Sequence, residues 1–142
     1  MTPKEEKLQK LYVEFQILNQ NIQQLEKQST ALNNQLMELM VTNQSLEDIK
    51  KTKEGTEILV PLSSGIYAKA ELKDSKKFIV NVGSNVTLVK DVDSTKKLIE
   101  DQINEIKKLQ ENLVNRLQEQ TTKAAMLEQE ISKIASTIQD KK

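Results

Sequence analysis

The chain has 142 residues, 21 acidic and 21 basic side chains, four aromatic residues, and neither Cys nor His. A neutral chain lacks the basic excess on which nucleic-acid binding depends. Without thiols or imidazoles it has none of the usual parts of a nucleophilic or zinc site. Its three glycines do not form a phosphate-binding loop. We therefore expect no enzymatic activity, no metal and no cofactor.

The sequence begins with Met-Thr-Pro-Lys-Glu-Glu, and no apolar run follows, so the pattern of a secretory signal is missing. No apolar segment approaches the ~20 residues that a membrane-spanning helix needs. We therefore expect a soluble, cytoplasmic protein.

Residues 8–46 place apolar side chains at alternating steps of three and four, which is the heptad pattern of a coiled coil. We call these positions the seam of the first helix. Such a seam is buried only against another helix. Its members are Leu8, Leu11, Phe15, Leu18, Ile22, Leu25, Ser29, Leu32, Leu36, Leu39, Asn43 and Leu46.

The ends of the first helix have recognisable signals. Thr2 and Glu5 have the spacing of a capping box, and Pro3 occupies the first helical position. Lysines precede Gly55, which we interpret as the C-terminal stop. The expected helix covers residues 2–53.

Residues 55–92 change to a period of two, which predicts β-strands. Turn residues at 63–65 and 83–85 divide them into two hairpins. Pro61 cannot donate to a ladder, so its strand is expected at a sheet edge or a bulge. Hairpins with one apolar face and open edges need cover, which predicts oligomerisation through this region.

Residues 92–140 form a second heptad helix, capped by Asp91 or Asp93. Its seam equals the first in length, which predicts a mostly helical α+β fold: a long antiparallel coiled coil within the chain, with both hairpins inserted between the helices. Counting outward from the hairpins sets Gln120 opposite Leu25. The second seam comprises Ile99, Ile103, Ile106, Gln110, Leu113, Leu117, Gln120, Ala124, Leu127, Ile131, Ile134 and Ile138.

Apolar residues outside the seams are the remaining signal. Tyr12, Val13 and Ile17 lie off the seam near the free end of the first helix, and the last two are four residues apart on one ridge. They either widen the seam as single exposed apolar residues or form a patch for a partner, and we favour the patch. Toward the same end, the second helix has off-seam Ala125, Met126 and Ala135.

With this order of elements, the chain resembles the alpha class of prefoldin subunits over essentially its whole length. The beta class carries one hairpin between shorter helices, so two hairpins favour the alpha class. The resemblance also rests on local sequence in the hairpins, namely Val60-Pro61-Leu62, the turn Ser64-Gly65, the strand Ile66–Ala70, and Val82-Gly83 followed by Val86.

The resemblance implies a chaperone in which two alpha and four beta subunits join their hairpins into an intersubunit β-barrel that carries six coiled coils. The tips bind non-native polypeptides and pass them to a group II chaperonin, without nucleotide or metal. The implied tip contacts are Leu8, Leu11, Tyr12, Val13, Phe15, Ile17, Ile131, Ile134, Ala135 and Ile138. The implied barrel contacts are Ile58, Val60, Leu62, Ile66, Ala68, Ala70, Leu72, Phe78, Val80, Val82, Val86 and Leu88.

A structural role is the alternative. In that case the chain is a coiled-coil scaffold or assembly adaptor that oligomerises through the same hairpins and binds one folded partner. Promiscuity separates the two functions, because a chaperone binds several unrelated unfolded proteins.

Overall fold

The computed structural model describes residues 1–140, except for the side chain of Asp140, as two long helices with two β-hairpins between them. This order confirms the predicted α+β fold. The helices are α1, Pro3–Lys51, and α2, Val92–Asp140. The strands are β1, Glu57–Ser63; β2, Ile66–Glu71; β3, Lys77–Gly83; and β4, Val86–Asp91.

Both helices begin where side chains satisfy free N–H groups of the first turn. The Glu5 N–H donates to Thr2 Oγ1 at 3.3 Å, and the Thr2 N–H donates to Glu5 Oε2 at 3.1 Å. This confirms the predicted capping box. At α2 the Ser94 N–H donates to Asp91 Oδ1 at 2.7 Å. Of the two candidate caps, Asp91 is therefore the one used.

Helix α1 ends at Lys51, so the prediction that Gly55 stops the helix is wrong. The last turn closes earlier, through a hydrogen bond from the Thr52 N–H to the Ile49 carbonyl at 3.0 Å. Gly55 instead serves the first hairpin, because its N–H donates to the Leu72 carbonyl at 2.7 Å. Its φ of 86° lies in the left-handed region that favours glycine.

The first hairpin pairs β1 and β2 in antiparallel register, with Val60 opposite Ala68. Pro61 pairs with Tyr67, but the next pair is Ser63 with Ile66, so a bulge follows the proline directly. This placement agrees with the expectation that Pro61 lies at a bulge or an edge, where its missing N–H is tolerated.

The second hairpin pairs β3 and β4, with Val80 opposite Leu88. Its two-residue loop consists of Ser84 and Asn85, whose φ values are 50° and 62°. Positive φ at both central residues is the mark of a type I′ turn, whose twist matches that of the two strands.

By its internal contacts the chain divides into two compact units. The terminal unit contains residues 1–34 together with residues 107–140. Its helical segments run antiparallel, since Lys7 Nζ lies 3.5 Å from Glu130 Oε1, and Gln110 Nε2 donates to Asn33 Oδ1 at 3.2 Å. Its buried apolar residues are all seam residues, namely Leu11, Leu25, Leu113, Ala124 and Ile131.

The central unit, Gln35–Ile106, contains both hairpins and the adjoining helix ends. Leu46 of α1 and Val92 of α2 are buried there. Lys96 Nζ donates to Glu47 Oε1, and Lys50 Nζ lies 4.0 Å from Asp93 Oδ1. These polar contacts join the end of α1 to the start of α2.

Candidate interaction surfaces

Seven of the ten predicted tip residues are covered by the coiled coil of the terminal unit. Each of them except Ala135 is a seam residue, and a seam is buried by its partner helix. The capping box keeps α1 helical up to Pro3, so the seam stays closed near the free end. Leu11 and Ile131 are buried, and the half-buried members are Leu8, Phe15, Ile134, Ala135 and Ile138.

The other three predicted tip residues are exposed. Tyr12, Val13 and Ile17 have exposed fractions of 49%, 51% and 53%. Val13 and Ile17 are roughly 40° apart around α1, whereas Tyr12 and Ile17 are roughly 140° apart. Tyr12 therefore lies on the opposite side of the seam from Ile17, and the three side chains do not form a single patch.

Ile17 shares a depression with residues of the other helix. Its apolar lining comes from Ile17 and Leu18 of α1 and from Met126 and Leu127 of α2, and its volume is about 420 Å³. Glu14, Lys123 and Glu130 complete the lining. We call it the Met126 depression.

Sequence reasoning did not assign Met126 to the tip contacts. The available signal was its position directly before the seam residue Leu127, because Ile17 likewise directly precedes Leu18. In the coiled coil, these two off-seam residues border the same depression. A methionine there supplies a flexible side chain that adapts to different apolar partners.

Most of the predicted barrel residues share one face of their hairpin, whereas Leu62 and Val82 are unpaired residues at the register shifts before the two turns. Cross-strand pairs point to the same side of a sheet, and the pairs that set this face are Val60 with Ala68 and Val80 with Leu88. The half-buried members are Ile58, Ala68, Ala70, Leu72, Phe78 and Val80. The exposed members are Val60, Leu62, Ile66, Val82, Val86 and Leu88.

The opposite faces of the hairpins also carry exposed apolar side chains, which lie within the predicted strands but outside the set of implied barrel contacts. Leu59 and Tyr67 lie there on the first hairpin, and Ile79 pairs with Val89 there on the second. The alternation in β3 assigned Ile79 to a polar face because its neighbours there are Lys77 and Asn81. The register with β4 was the missing information.

Two carboxylates of the central unit are stabilised in their charged form. The hydrogen bond from Lys96 lowers the pKa of Glu47, and the same contact raises the pKa of Lys96. At the start of α2, the hydrogen bond from the Ser94 N–H lowers the pKa of Asp91. These groups stabilise the junction between the helices and the hairpins.

In the described residues 1–140, no helix is both long enough and apolar enough to cross a membrane. Within the same range, no group of three or more acidic side chains has the geometry to hold a metal ion.

Known proteins are similar to this chain in sequence. The family model for prefoldin, described as "Prefoldin subunit", matches residues 18–137. Prefoldin subunit alpha of Methanococcus maripaludis strain C7 is 36% identical over 78% of this chain and 74% of its own length. Prefoldin subunit alpha of Pyrococcus horikoshii is 31% identical over 93% of this chain and 95% of its own.

A solved structure has the same fold. In the cryo-EM structure of filamentous PFD from Methanocaldococcus jannaschii, one chain superposes with a TM-score of 0.71, at 22% identity, over 86% of this chain and 98% of its own. Prefoldin subunits are non-enzymatic chaperone components, which agrees with the expectation of no enzymatic activity. The chain therefore belongs to the prefoldin family.

Proposed function

We propose that the chain is one subunit of an ATP-independent holding chaperone in the cytoplasm. It binds non-native polypeptides, its clients, at the tip, which is the free end of the terminal unit. It then passes them to a group II chaperonin. The observation that carries this proposal is the exposure of Tyr12, Val13 and Ile17 beside a closed seam.

The closed seam decides which residues contact a client first. Leu11 and Ile131 are buried, so a client reaches them only if the coil frays. Tyr12, Val13 and Ile17 need no such opening. Removing apolar surface from water is favourable by roughly 25 cal/mol per Å², so even these few side chains provide a weak site for an unfolded segment.

Weak sites suffice when several act on one client. Joining binding sites in one assembly raises overall avidity by roughly 10²–10⁴ over a single site. We propose that the assembly contains two alpha and four beta subunits, joined through their hairpins. The exposed apolar side chains on both hairpins support this role, since two-stranded ribbons need cover.

The test of tip binding removes about ten residues, roughly three helical turns, from each end of the chain. The truncated and full-length chains are each assembled with a beta-class subunit. The mass of each assembly is then measured by native mass spectrometry. Both assemblies are then assayed for suppression of aggregation with several unrelated unfolded proteins. We expect equal masses, and loss of suppression only in the truncated assembly.

Unchanged suppression after truncation would refute tip binding. Binding of a single folded protein, with no effect on unfolded ones, would instead identify a scaffold or adaptor. A chain that stays monomeric at micromolar concentration, with and without the beta-class subunit, would refute assembly through the hairpins.

A further inference from the structure

The seam of the terminal unit changes in character along its length. Toward the free end, residues 8–22 of α1 and residues 124–138 of α2 contribute ten seam positions, and all ten are apolar. Every one of these side chains is buried or half-buried. We call this part of the coil the tip segment. Its layers bury apolar side chains from both helices, and the capping box closes the first turn of α1, so the tip segment is well stabilised.

The adjoining part of the coil, which we call the middle segment, has a different seam. It comprises residues 25–32 of α1 and residues 110–120 of α2. Three of its seven seam positions are polar, namely Ser29, Gln110 and Gln120, and all three are half-buried. Polar residues at seam positions lower the stability of a coiled coil. The middle segment is therefore the less stable part of the terminal unit, although it lies further from the free end.

Gln120 is the clearest source of that lower stability. Its side-chain oxygen is enclosed within the coil and has no hydrogen-bond donor among residues 1–140. An enclosed acceptor without a donor costs free energy, and opening of the coil recovers it because water then reaches the oxygen. Gln110 differs, since its Nε2 donates to Asn33 Oδ1 at 3.2 Å. The unsatisfied oxygen thus favours opening at Gln120 in particular.

The middle segment is nevertheless closed most of the time. Leu25 and Leu113 are each only 5% exposed, and burial of their side chains holds the two helices together. Opening of this segment is therefore a local and transient event. Helical proteins show many such openings, and the easiest of them are normally at fraying chain ends.

We propose that the coil of the terminal unit opens from within: the middle segment separates transiently, and more often than the tip segment does. This order is the reverse of ordinary end fraying. It creates a flexible stretch partway along the coil, while the tip segment stays closed as one piece. The inference goes beyond the proposed function, because it concerns the coil alone and holds with or without a client.

The test is amide hydrogen exchange followed by mass spectrometry, which measures local opening one segment at a time. It uses the full-length chain without any client, both alone and assembled with a beta-class subunit. Exchange rates are divided by the intrinsic rates of the unfolded chain. We expect residues 23–33 and 113–121 to exchange roughly tenfold faster or more than residues 11–18 and 127–134.

Three variants test the cause of the opening. Gln120→Leu removes the unsatisfied oxygen, so exchange in the middle segment should slow at least about fivefold, in α1 as well as in α2. Gln118→Leu makes the same change at an exposed position of α2 and should alter exchange less than about twofold. Leu127→Gln places a polar group in the tip segment, where exchange should become roughly tenfold faster in both helices.

Faster exchange in the tip segment than in the middle segment of the unmodified chain would overturn the inference, because the coil would then open from its end. This comparison needs no substitution, so it decides the order of opening even if a variant fails to fold. An effect of Gln120→Leu that equals that of Gln118→Leu, or that is confined to α2, would also overturn it. Since suppression of aggregation is not measured, none of these results bears on the proposed function.

Discussion

Ile79 of β3 and Val89 of β4 face each other across the ladder of the second hairpin, and their exposed fractions are 77% and 68%. They lie on the face opposite the half-buried Phe78 and Val80. A cross-strand apolar pair stabilises a hairpin only where it packs and excludes water. An exposed apolar pair of this size is typical of a surface that a partner covers, and we propose that assembly covers this one.

Ile79→Lys should impair assembly without unfolding the chain. An exposed substitution changes folding stability by roughly 0.5 kcal/mol or less, whereas losing a buried Ile and placing a charge in an interface should raise the assembly dissociation constant about tenfold or more. Native mass spectrometry with the beta-class subunit measures this. Val41→Lys is the control, since Val41 is 65% exposed on α1. If Ile79→Lys assembled at the same protein concentration as the unsubstituted chain, this face of the hairpin would have to remain exposed in the assembly.

Replacing Tyr12, Val13 and Ile17 together by Ser should reduce suppression of aggregation severalfold and leave the mass of the assembly unchanged. The three side chains are exposed, so their loss removes client contacts rather than core packing. The assay compares the concentration of assembly that halves aggregation of an unfolded client.

The matched control replaces three other exposed apolar residues of α1 by Ser, namely Met37, Met40 and Val41. They belong to the central unit rather than to the tip. An equal loss of suppression in both triple variants would contradict tip binding.

Asn43→Leu should stabilise the coiled coil. Asn43 is a seam residue whose side-chain oxygen is buried without a partner within residues 1–140. Relieving an unsatisfied buried polar group is worth roughly 1–3 kcal/mol, so the midpoint of thermal unfolding should rise. Asn34→Leu, the same change at an exposed position, should leave it nearly unchanged. A lower midpoint for Asn43→Leu would indicate that Asn43 is needed to set the register.

Acid should destabilise the chain through the junction of helices and hairpins. The pKa of Glu47, lowered by Lys96, and that of Asp91, lowered by the Ser94 N–H, are below their unfolded values. Their stabilisation is therefore complete above the unfolded pKa of about 4 and is lost as pH falls through the folded pKa. The pKa of Lys96 is raised, so the stability that its charged form contributes is lost only at alkaline pH, above roughly 10.4.

Thermal unfolding between pH 3 and pH 7 checks this, with Glu47→Gln as the test variant. As the pH is lowered from 7 to 3, we expect the midpoint of thermal unfolding to fall less steeply for Glu47→Gln than for the unsubstituted chain. Glu38→Gln changes an exposed position of α1 and serves as the control. Its unfolding midpoint should depend on pH as that of the unsubstituted chain does. A slope unchanged by Glu47→Gln would show that its ion pair does not contribute to folding stability.

The sequence by itself determined the two helices, the two hairpins and the face that each helix buries. Heptad spacing and strand alternation are local periodicities, and each assigns a side chain to a face without reference to the rest of the chain. For this reason every seam residue is buried or half-buried, and the capping box at Thr2 is formed as expected.

Only the tertiary structure decided which side chains meet across elements. Ile17 and Met126 border one depression because the register of two distant helices brings them together, and Ile79 lies beside Val89 because of the strand register. The choice of Asp91 as cap and the role of Gly55 in the hairpin likewise depend on where neighbouring backbone groups lie. No local period specifies these contacts, because each depends on how separate elements are placed against one another.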